Sequence, residues 1–125
     1  MVKRWAIFDL DNTIADISNR LQIASENGKV DYFRLHDPKL IKTDKPMYET
    51  IDLINNLAKF NVGIFILTGR LSSTKEETEK WLLHHDVSYD KLQMKSYNDR
   101  FVKSDKWKLQ KMVEFMRQKY LHFNI

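Results

Sequence analysis

Ala6-Ile7-Phe8-Asp9-Leu10-Asp11-Asn12-Thr13 is the stretch on which the fold turns. From Val2 to Leu10 the chain is an apolar run rich in β-formers, Trp5, Ile7 and Phe8 among them, and it gives way to Asp-Leu-Asp-Asn-Thr, residues suited to turns and loops. A buried first strand with a polar exit is expected. Asp9 and Asp11 lie two residues apart at that exit, so in an extended chain both carboxylates point to one face, about 7 Å apart. One could attack while the other moves a proton. Carboxylates attack phosphorus to give aspartyl-phosphates, and a hard cation such as Mg²⁺ would hold an anionic substrate beside an anionic nucleophile. Alone, Asp-x-Asp describes equally well a solvated turn that closes a strand.

Working outward, Val62-Gly63-Ile64-Phe65-Ile66-Leu67 is a second apolar run, nearly uninterrupted as in a strand covered on both faces, and it stops at Thr68-Gly69-Arg70. Between the runs, Pro46 suits the first turn of a helix capped near Thr43 or Asp44, and Met47, Ile51, Ile54 and Ala58 recur at helical spacing. That helix makes a βαβ crossover. Ser73-Thr74-Lys75-Glu76 matches a capping box opening a helix with Trp81 and Leu82 that ends near Asp86, and Tyr89 to Lys95 suits a short third strand. Ser104 or Asp105 can cap a last helix running to about Tyr120, with Leu109, Met112, Val113 and Met116 as its apolar stripe and lysines on the other side. Leu121 to Ile125 suits the start of another strand. The alternation implies an α/β fold, a three-layer α/β sandwich with a Rossmann-like parallel sheet whose ligands sit outside the carboxyl ends of the strands. Residues 1–125 form a single domain on this reading, and residues 16–44, with turn signals at Asn27-Gly28 and Asp37-Pro38, form a small cap insertion.

A chain of 125 residues, 42% of them hydrophobic, can bury one sizeable core. With no cysteine, a disulfide framework, a thiolate nucleophile and a Cys-ligated zinc site are excluded, and a reducing, cytoplasmic location (the host cytoplasm if the source is viral) is the simple expectation. No signal peptide or membrane-length apolar run is visible. The net charge of +4 is unevenly spread: residues 91–125 hold 9 Lys+Arg against 3 Asp+Glu. Such an excess fits an anionic partner such as nucleic acid, or a solvated basic helix face.

Ile7-Phe8-Asp9-Leu10-Asp11-Asn12-Thr13 resembles motif I of the haloacid dehalogenase superfamily, and Ile64-Phe65-Ile66-Leu67-Thr68-Gly69-Arg70 resembles its motif II. Asp16-Ile17-Ser18-Asn19-Arg20, Asp44-Lys45-Pro46, Glu77-Thr78-Glu79-Lys80-Trp81-Leu82 and Leu92-Gln93-Met94-Lys95 follow in the order seen in small phage and bacterial phosphatases, which are similar to the 3′-phosphatase domain of bacteriophage polynucleotide kinase. The resemblance implies Mg²⁺-dependent hydrolysis of a phosphomonoester, on a phosphorylated small molecule such as a nucleotide or on a nucleic-acid 3′ end. It implies Asp9 as nucleophile and metal ligand, and Asp11 as general acid/base whose backbone carbonyl also meets the metal. Thr68 would bind the transferring phosphoryl group, Gly69 would offer a backbone N–H, and Arg70 would reach substrate phosphate or the cap. Lys108 best matches the third-motif lysine, with Lys106 a close rival, and either one also suits the surface of an amphipathic helix.

The family's fourth motif, an acidic pair after the next strand, is absent, and no acid follows Glu114. That leaves a shortened chain with a weakened metal site, or help from another acid such as Asp99, Asp105 or one on a second subunit. A phosphate- or nucleic-acid-binding module without turnover is the alternative function. His84 and His85, adjacent on a helix, should diverge and serve the helix C-terminus. Trp5, Trp81 and Trp107 read as core or rim packing, and Ser72 and Ser73 as caps.

Overall fold

The computed structural model describes residues 3–121. β1 (Trp5–Phe8) leads through a short β2 (Ala15–Asp16) to α1 (Ser18–Ala24), the hairpin of β3 (Ser25–Glu26) and β4 (Lys29–Val30), and two single-turn helices, α2 (Tyr32–Leu35) and α3 (Pro38–Ile41). Then come β5 (Lys45–Pro46), α4 (Tyr48–Lys59), β6 (Gly63–Leu71), α5 (Lys75–His84), β7 (Lys91–Lys95) and α6 (Ser104–Met116).

Three strands make a parallel sheet in the order β1-β6-β7, with Trp5 opposite Gly63 and Phe8 opposite Ile66. Successive side chains of β6 leave on opposite faces. Ile64 and Ile66 therefore join Ile51 and Ile54 of α4 and Trp81 and Leu82 of α5 in one core, while Phe65 and Leu67 join Trp107 and Phe115 of α6 in another. Helices thus cover both faces of a parallel sheet, and the chain is an α/β sandwich. Each such side chain, fully buried, contributes about 1.5–3 kcal/mol relative to exposure. A glycine is required at 63 because a Cβ there would lie 2.5 Å from the indole of Trp5.

β6 does not stop at Thr68 as its sequence suggests. Its pairing with β7 runs from Phe65–Lys91 to Leu67–Gln93 and resumes at Leu71–Lys95, so Thr68, Gly69 and Arg70 stand opposite Met94 alone. Such a bulge re-aims side chains beside functional sites.

Several local expectations are corrected. Pro46 lies in β5, opposite Ala15, and α4 starts two residues later; an edge strand tolerates the missing N–H, and Met47 N–H reaches the Ile14 carbonyl at 2.8 Å. The capping box does not form, because Thr74 Oγ1 donates to the Leu71 carbonyl at 2.9 Å and closes a 3₁₀ turn ahead of α5. Neither Ser104 nor Asp105 caps α6, whose flanking residue is Lys103. The buried face of α6 is the one carrying Trp107 and Phe115, and Leu109, Val113 and Met116 are exposed. Lys108 and Lys111 therefore flank the buried face instead of opposing it. Arg117–Leu121 continues the helix as a π turn, so Leu121 opens no strand; 122–125 lie outside the described residues. The rings of His84 and His85 do not diverge but meet edge to face at 4.8 Å, since His85 has already left the helix.

Within residues 16–44, Asn27 and Gly28 both have positive φ (53° and 76°), as a two-residue hairpin turn demands. Asp31 caps α2 through the Arg34 N–H and Asp37 caps α3 through the Lys39 N–H, with Pro38 in the first turn. No helix among the described residues is long and apolar enough to cross a membrane.

Candidate active site

Leu10 organises the strand exit. Its side chain is buried in the core, and its carbonyl accepts the N–H groups of Thr13, Ile14 and Ala15 at 3.2, 2.8 and 3.0 Å. The chain curls around that oxygen, with Asn12 in the left-handed region at φ 60°, a conformation asparagine tolerates. The extended geometry assumed for Asp9 and Asp11 ends at Leu10, and the two carboxylates meet different partners.

Asp9 faces outward, its side chain 41% exposed. Its Oδ1 accepts the Leu10 N–H at 2.7 Å and its Oδ2 lies 2.9 Å from Lys108 Nζ. Asp11 is held by one oxygen: Oδ1 accepts from Arg70 Nε at 2.7 Å and from Arg20 Nη2 at 3.3 Å. Both arginines are fully buried and share Asp44, whose Oδ1 takes Arg20 Nε and whose Oδ2 takes Arg70 Nη2, each at 2.8 Å. Arg20 Nη1 reaches the Leu35 carbonyl at 2.7 Å, Arg70 Nη1 reaches Thr78 Oγ1 at 3.1 Å, and Trp81 Nε1 donates to the Asp44 carbonyl at 3.0 Å. Every nitrogen of both guanidinium groups is thus bonded, which fixes Asp11 from two sides.

Burial pushes the Asp44 carboxyl above its ordinary value, against the opposing pull of the Arg20 hydrogen bond and of the Arg20 and Arg70 charges. His36, stacked on Tyr32 at 4.4 Å, is lowered to about 4, first by burial; the Asp11 charge works the other way, and Arg20, Arg70 and Lys95 add to the lowering. Its Nδ1 is buried without a hydrogen-bond partner. Lys95 is lowered by burial, with Asp99 opposing and Lys108 reinforcing, and its amine donates to the Val102 carbonyl.

Thr68 is buried, its Oγ1 accepting the Arg70 N–H at 3.1 Å and keeping its own proton to donate. Gly69 sits where a Cβ would come 3.0 Å from Ser104 Oγ, so it permits the close approach of α6 to the bulge. Arg70 turns inward to Asp11 and Asp44, the latter at the end of residues 16–44. Lys108 is brought to Asp9, whereas Lys106 is exposed and makes no contact with either aspartate.

The donor set fits a hard cation at the low end of ligand number. Mg²⁺ commonly takes one or two carboxylates and completes its shell with water and substrate oxygens; the outward-facing Asp9 carboxylate offers one such ligand at a solvent-open strand end, with the Asp11 backbone carbonyl as the expected second, because the Asp11 carboxylate is held by Arg20 and Arg70. Among the described residues no group of three or more His, Cys, Asp or Glu gathers for a metal, and Asp99 and Asp105 bond to Ser96 and to the Lys106 N–H instead. A cavity of about 730 Å³ lies behind Asp44, between α3 and α5, away from Asp9.

No family model matches the chain, and no curated protein matches it. Its fold is similar to that of a chain in a structure of the Pnkp1/Rnl/Hen1 RNA repair complex, with a TM-score of 0.73 and 23% identity over 95% of this chain. A second structure of the Pnkp1/Rnl/Hen1 complex gives 0.72 and 21% over 95%. This chain spans about a third of those chains, 34% and 37% of their lengths. At these identities the likeness is one of fold.

Sequence reasoning gave no site role to Arg20, His36, Thr78 or Lys95, and it read Asp44 as a candidate helix cap, which the helix beginning at Tyr48 behind Met47 does not use. Arg20 carried a usable signal: it shares a helical stripe with Ile17 and Ala24, and a charge on a buried face demands a partner. Asp44 stood out in the sequence only as a possible cap and in Asp44-Lys45-Pro46, and nothing local marked it as the partner of two buried arginines.

Proposed function

We propose that this chain is a Mg²⁺-dependent phosphatase of the haloacid dehalogenase type, hydrolysing a phosphomonoester on a nucleotide or a nucleic-acid 3′ end. The observation that carries it is Asp9: an outward-facing carboxylate at the carboxyl end of a parallel strand, with Lys108 on one oxygen and a clamped second carboxylate two residues on. The fold shared with chains of an RNA repair complex supports a nucleic-acid end as substrate.

In this reading an Asp9 oxygen attacks phosphorus and the ester P–O bond breaks. The leaving oxygen takes a proton from Asp11, and the phosphoryl group rests on Asp9. Water then attacks phosphorus, gives its proton to Asp11 and frees inorganic phosphate. Lys108 offsets the charge of Asp9 and of the arriving phosphate, the Thr68 hydroxyl and Gly69 N–H donate to phosphoryl oxygens, and Arg20 and Arg70 keep Asp11 in position. Asp9 and Asp11 would hold Mg²⁺, which supplies charge neutralisation between nucleophile and substrate. Residues 16–44 act as a small cap whose size leaves the mouth open to a large substrate.

Release of phosphate from an aryl phosphate and from a 3′-phosphorylated oligonucleotide tests the reading. Mg²⁺-dependent turnover that vanishes in Asp9→Asn is expected; turnover no higher than in that variant sinks it. A second reading, a phosphate- or nucleic-acid-binding module, is favoured by the pairing of both carboxylates with cations. It expects affinity that survives Asp9→Asn with no product formed.

A further inference from the structure

Beyond β7 the chain builds a small knob with no part in the chemistry above. A 3₁₀ turn at Tyr97–Asp99 is closed by the Asp99, Arg100 and Val102 N–H groups, which donate to the Ser96, Tyr97 and Asp99 carbonyls at 3.0, 3.2 and 2.9 Å. Ser96 Oγ bonds Asp99 Oδ2 at 3.1 Å, and the Lys95 amine ties down the Val102 carbonyl. This fixed turn carries a stack: the Arg100 guanidinium lies 3.7 Å from the Tyr97 ring centre and 4.5 Å from that of Phe101. Arg100 Nη1 also bonds the Tyr97 carbonyl at 2.8 Å, which holds the plane in place. Yet the rings are not buried. Phe101 is 86% exposed and Tyr97 54%.

The knob stands at the same end of the sheet as Asp9. It follows the carboxyl end of β7, the sheet end at which Asp9 leaves β1, and its anchor Lys95 lies within the field of Lys108, which pairs with Asp9. Exposed Lys103 and Lys106 follow it directly in sequence. Planar π faces on a rigid base, a guanidinium among them and lysines beside them, suit a ligand that is polyanionic along its chain and carries flat rings at intervals. An acidic peptide would match the charge but not the rings.

We infer that Tyr97, Arg100 and Phe101 form a stacking platform for the last bases of a single-stranded polynucleotide whose 3′ end lies at Asp9. The inference rests on the reading of Asp9 as the reaction centre only for the direction of the strand. It separates a polynucleotide from a mononucleotide, because a mononucleotide at Asp9 has no neighbouring base to lay on the platform.

Fluorescence anisotropy of a labelled single-stranded oligonucleotide with a 3′ phosphate, in DNA and RNA forms, tests it in the full chain with Asp9→Asn present to prevent turnover. Phe101→Ala and Tyr97→Ala should each weaken oligonucleotide binding roughly tenfold, since base–aromatic stacking is worth about that much or more per base. Arg100→Lys, which keeps the charge and loses the plane, should weaken it as well. Phe60→Ala, which removes an equally exposed ring from the opposite end of β6, should not. Unchanged affinity in Phe101→Ala overturns the platform, and so does an equal loss for a 3′-mononucleotide. The enzyme reading fails separately: platform-dependent binding together with a parent chain that turns over neither the aryl phosphate nor the 3′-phosphorylated oligonucleotide refutes the phosphatase and keeps the platform.

Discussion

The Asp44 side chain meets no solvent, yet it holds both arginines that grip Asp11. Replacing it with Asn keeps the shape but removes the countercharge, and the new amide presents a donor to a guanidinium that is itself a donor. Breaking a buried ion pair by removing one partner costs about 3–5 kcal/mol. The denaturant midpoint of Asp44→Asn should therefore fall steeply, and any Mg²⁺-dependent turnover proposed for the parent should be lost at temperatures where the parent stays folded. His36 gives a pH signature of its own. Its ordinary value is 6.5, and burial holds it at about 4 in the fold. Between those values the unfolded chain binds a proton that the folded chain does not, so stability is full above about 6.5 and is lost as pH falls toward 4. Allowing for the partial exposure of the ring, His36 should account for about 2 kcal/mol of that loss. Urea melts of the parent and of His36→Phe across that range check it; parallel curves would count against it.

Among the elements, β1, β6 and β7 were legible because their apolar runs end at polar clusters, and α4 and α5 because their periodicity is plain. The buried face of α6 was not. Leu109, Met112, Val113 and Met116 make a regular stripe, but Trp107, Lys111 and Phe115 make a second one at spacing four, and periodicity cannot rank two stripes on one helix. Area decides: an aromatic ring buries 150–250 Å² by general estimate, so about two aromatics outweigh a set of aliphatics, and the helix turns to put them on Phe65 and Leu67. That same rotation delivers Lys108 to Asp9, which is why the sequence could prefer Lys108 but leave Lys106 a close rival. The bulge at Thr68–Arg70 was equally hidden, since it is a matter of register with β7 and not of composition. The sheet itself makes a testable claim at Gly63. Gly63→Ala drives a methyl into the Trp5 indole, which is half-buried against Phe115 at 5.1 Å, and overpacking of this kind costs about 1–3 kcal/mol. A lowered melting temperature with a disturbed Trp5 fluorescence spectrum is expected, and Gly63→Ala combined with Trp5→Leu should recover part of the loss.

At the scale of the whole molecule, the basic C-terminal third divides by use. Of the 9 Lys+Arg in residues 91–125, Lys91 lies over the Phe65 and Phe115 rings and Lys119 over those of Trp5 and Phe115. Lys95 bonds Val102, Lys108 pairs with Asp9, and Lys111 pairs with Glu114. Four of the nine thus cover aromatic rings or balance acids, and Lys95 is held by a carbonyl. Arg100, half-buried, lies over the Tyr97 and Phe101 rings, and Lys103, Lys106 and Arg117 are exposed cations that no ion pair among the described residues engages. Counterion release then gives a number. A single strand loses about 0.7 log units of affinity per log unit of salt for each phosphate neutralised, so three or four contacts predict a slope of about −2 to −3, whereas all nine would give about −6. Titrating oligonucleotide affinity of the Asp9→Asn chain from low to moderate salt measures it directly. A slope near the smaller value agrees with the division of charge drawn from the fold, and Lys103→Gln or Lys106→Gln should each flatten it by less than one unit. A slope near the larger value would mean that a polynucleotide displaces the lysines from their rings and from Asp9, and the platform would then have to be redrawn around α6.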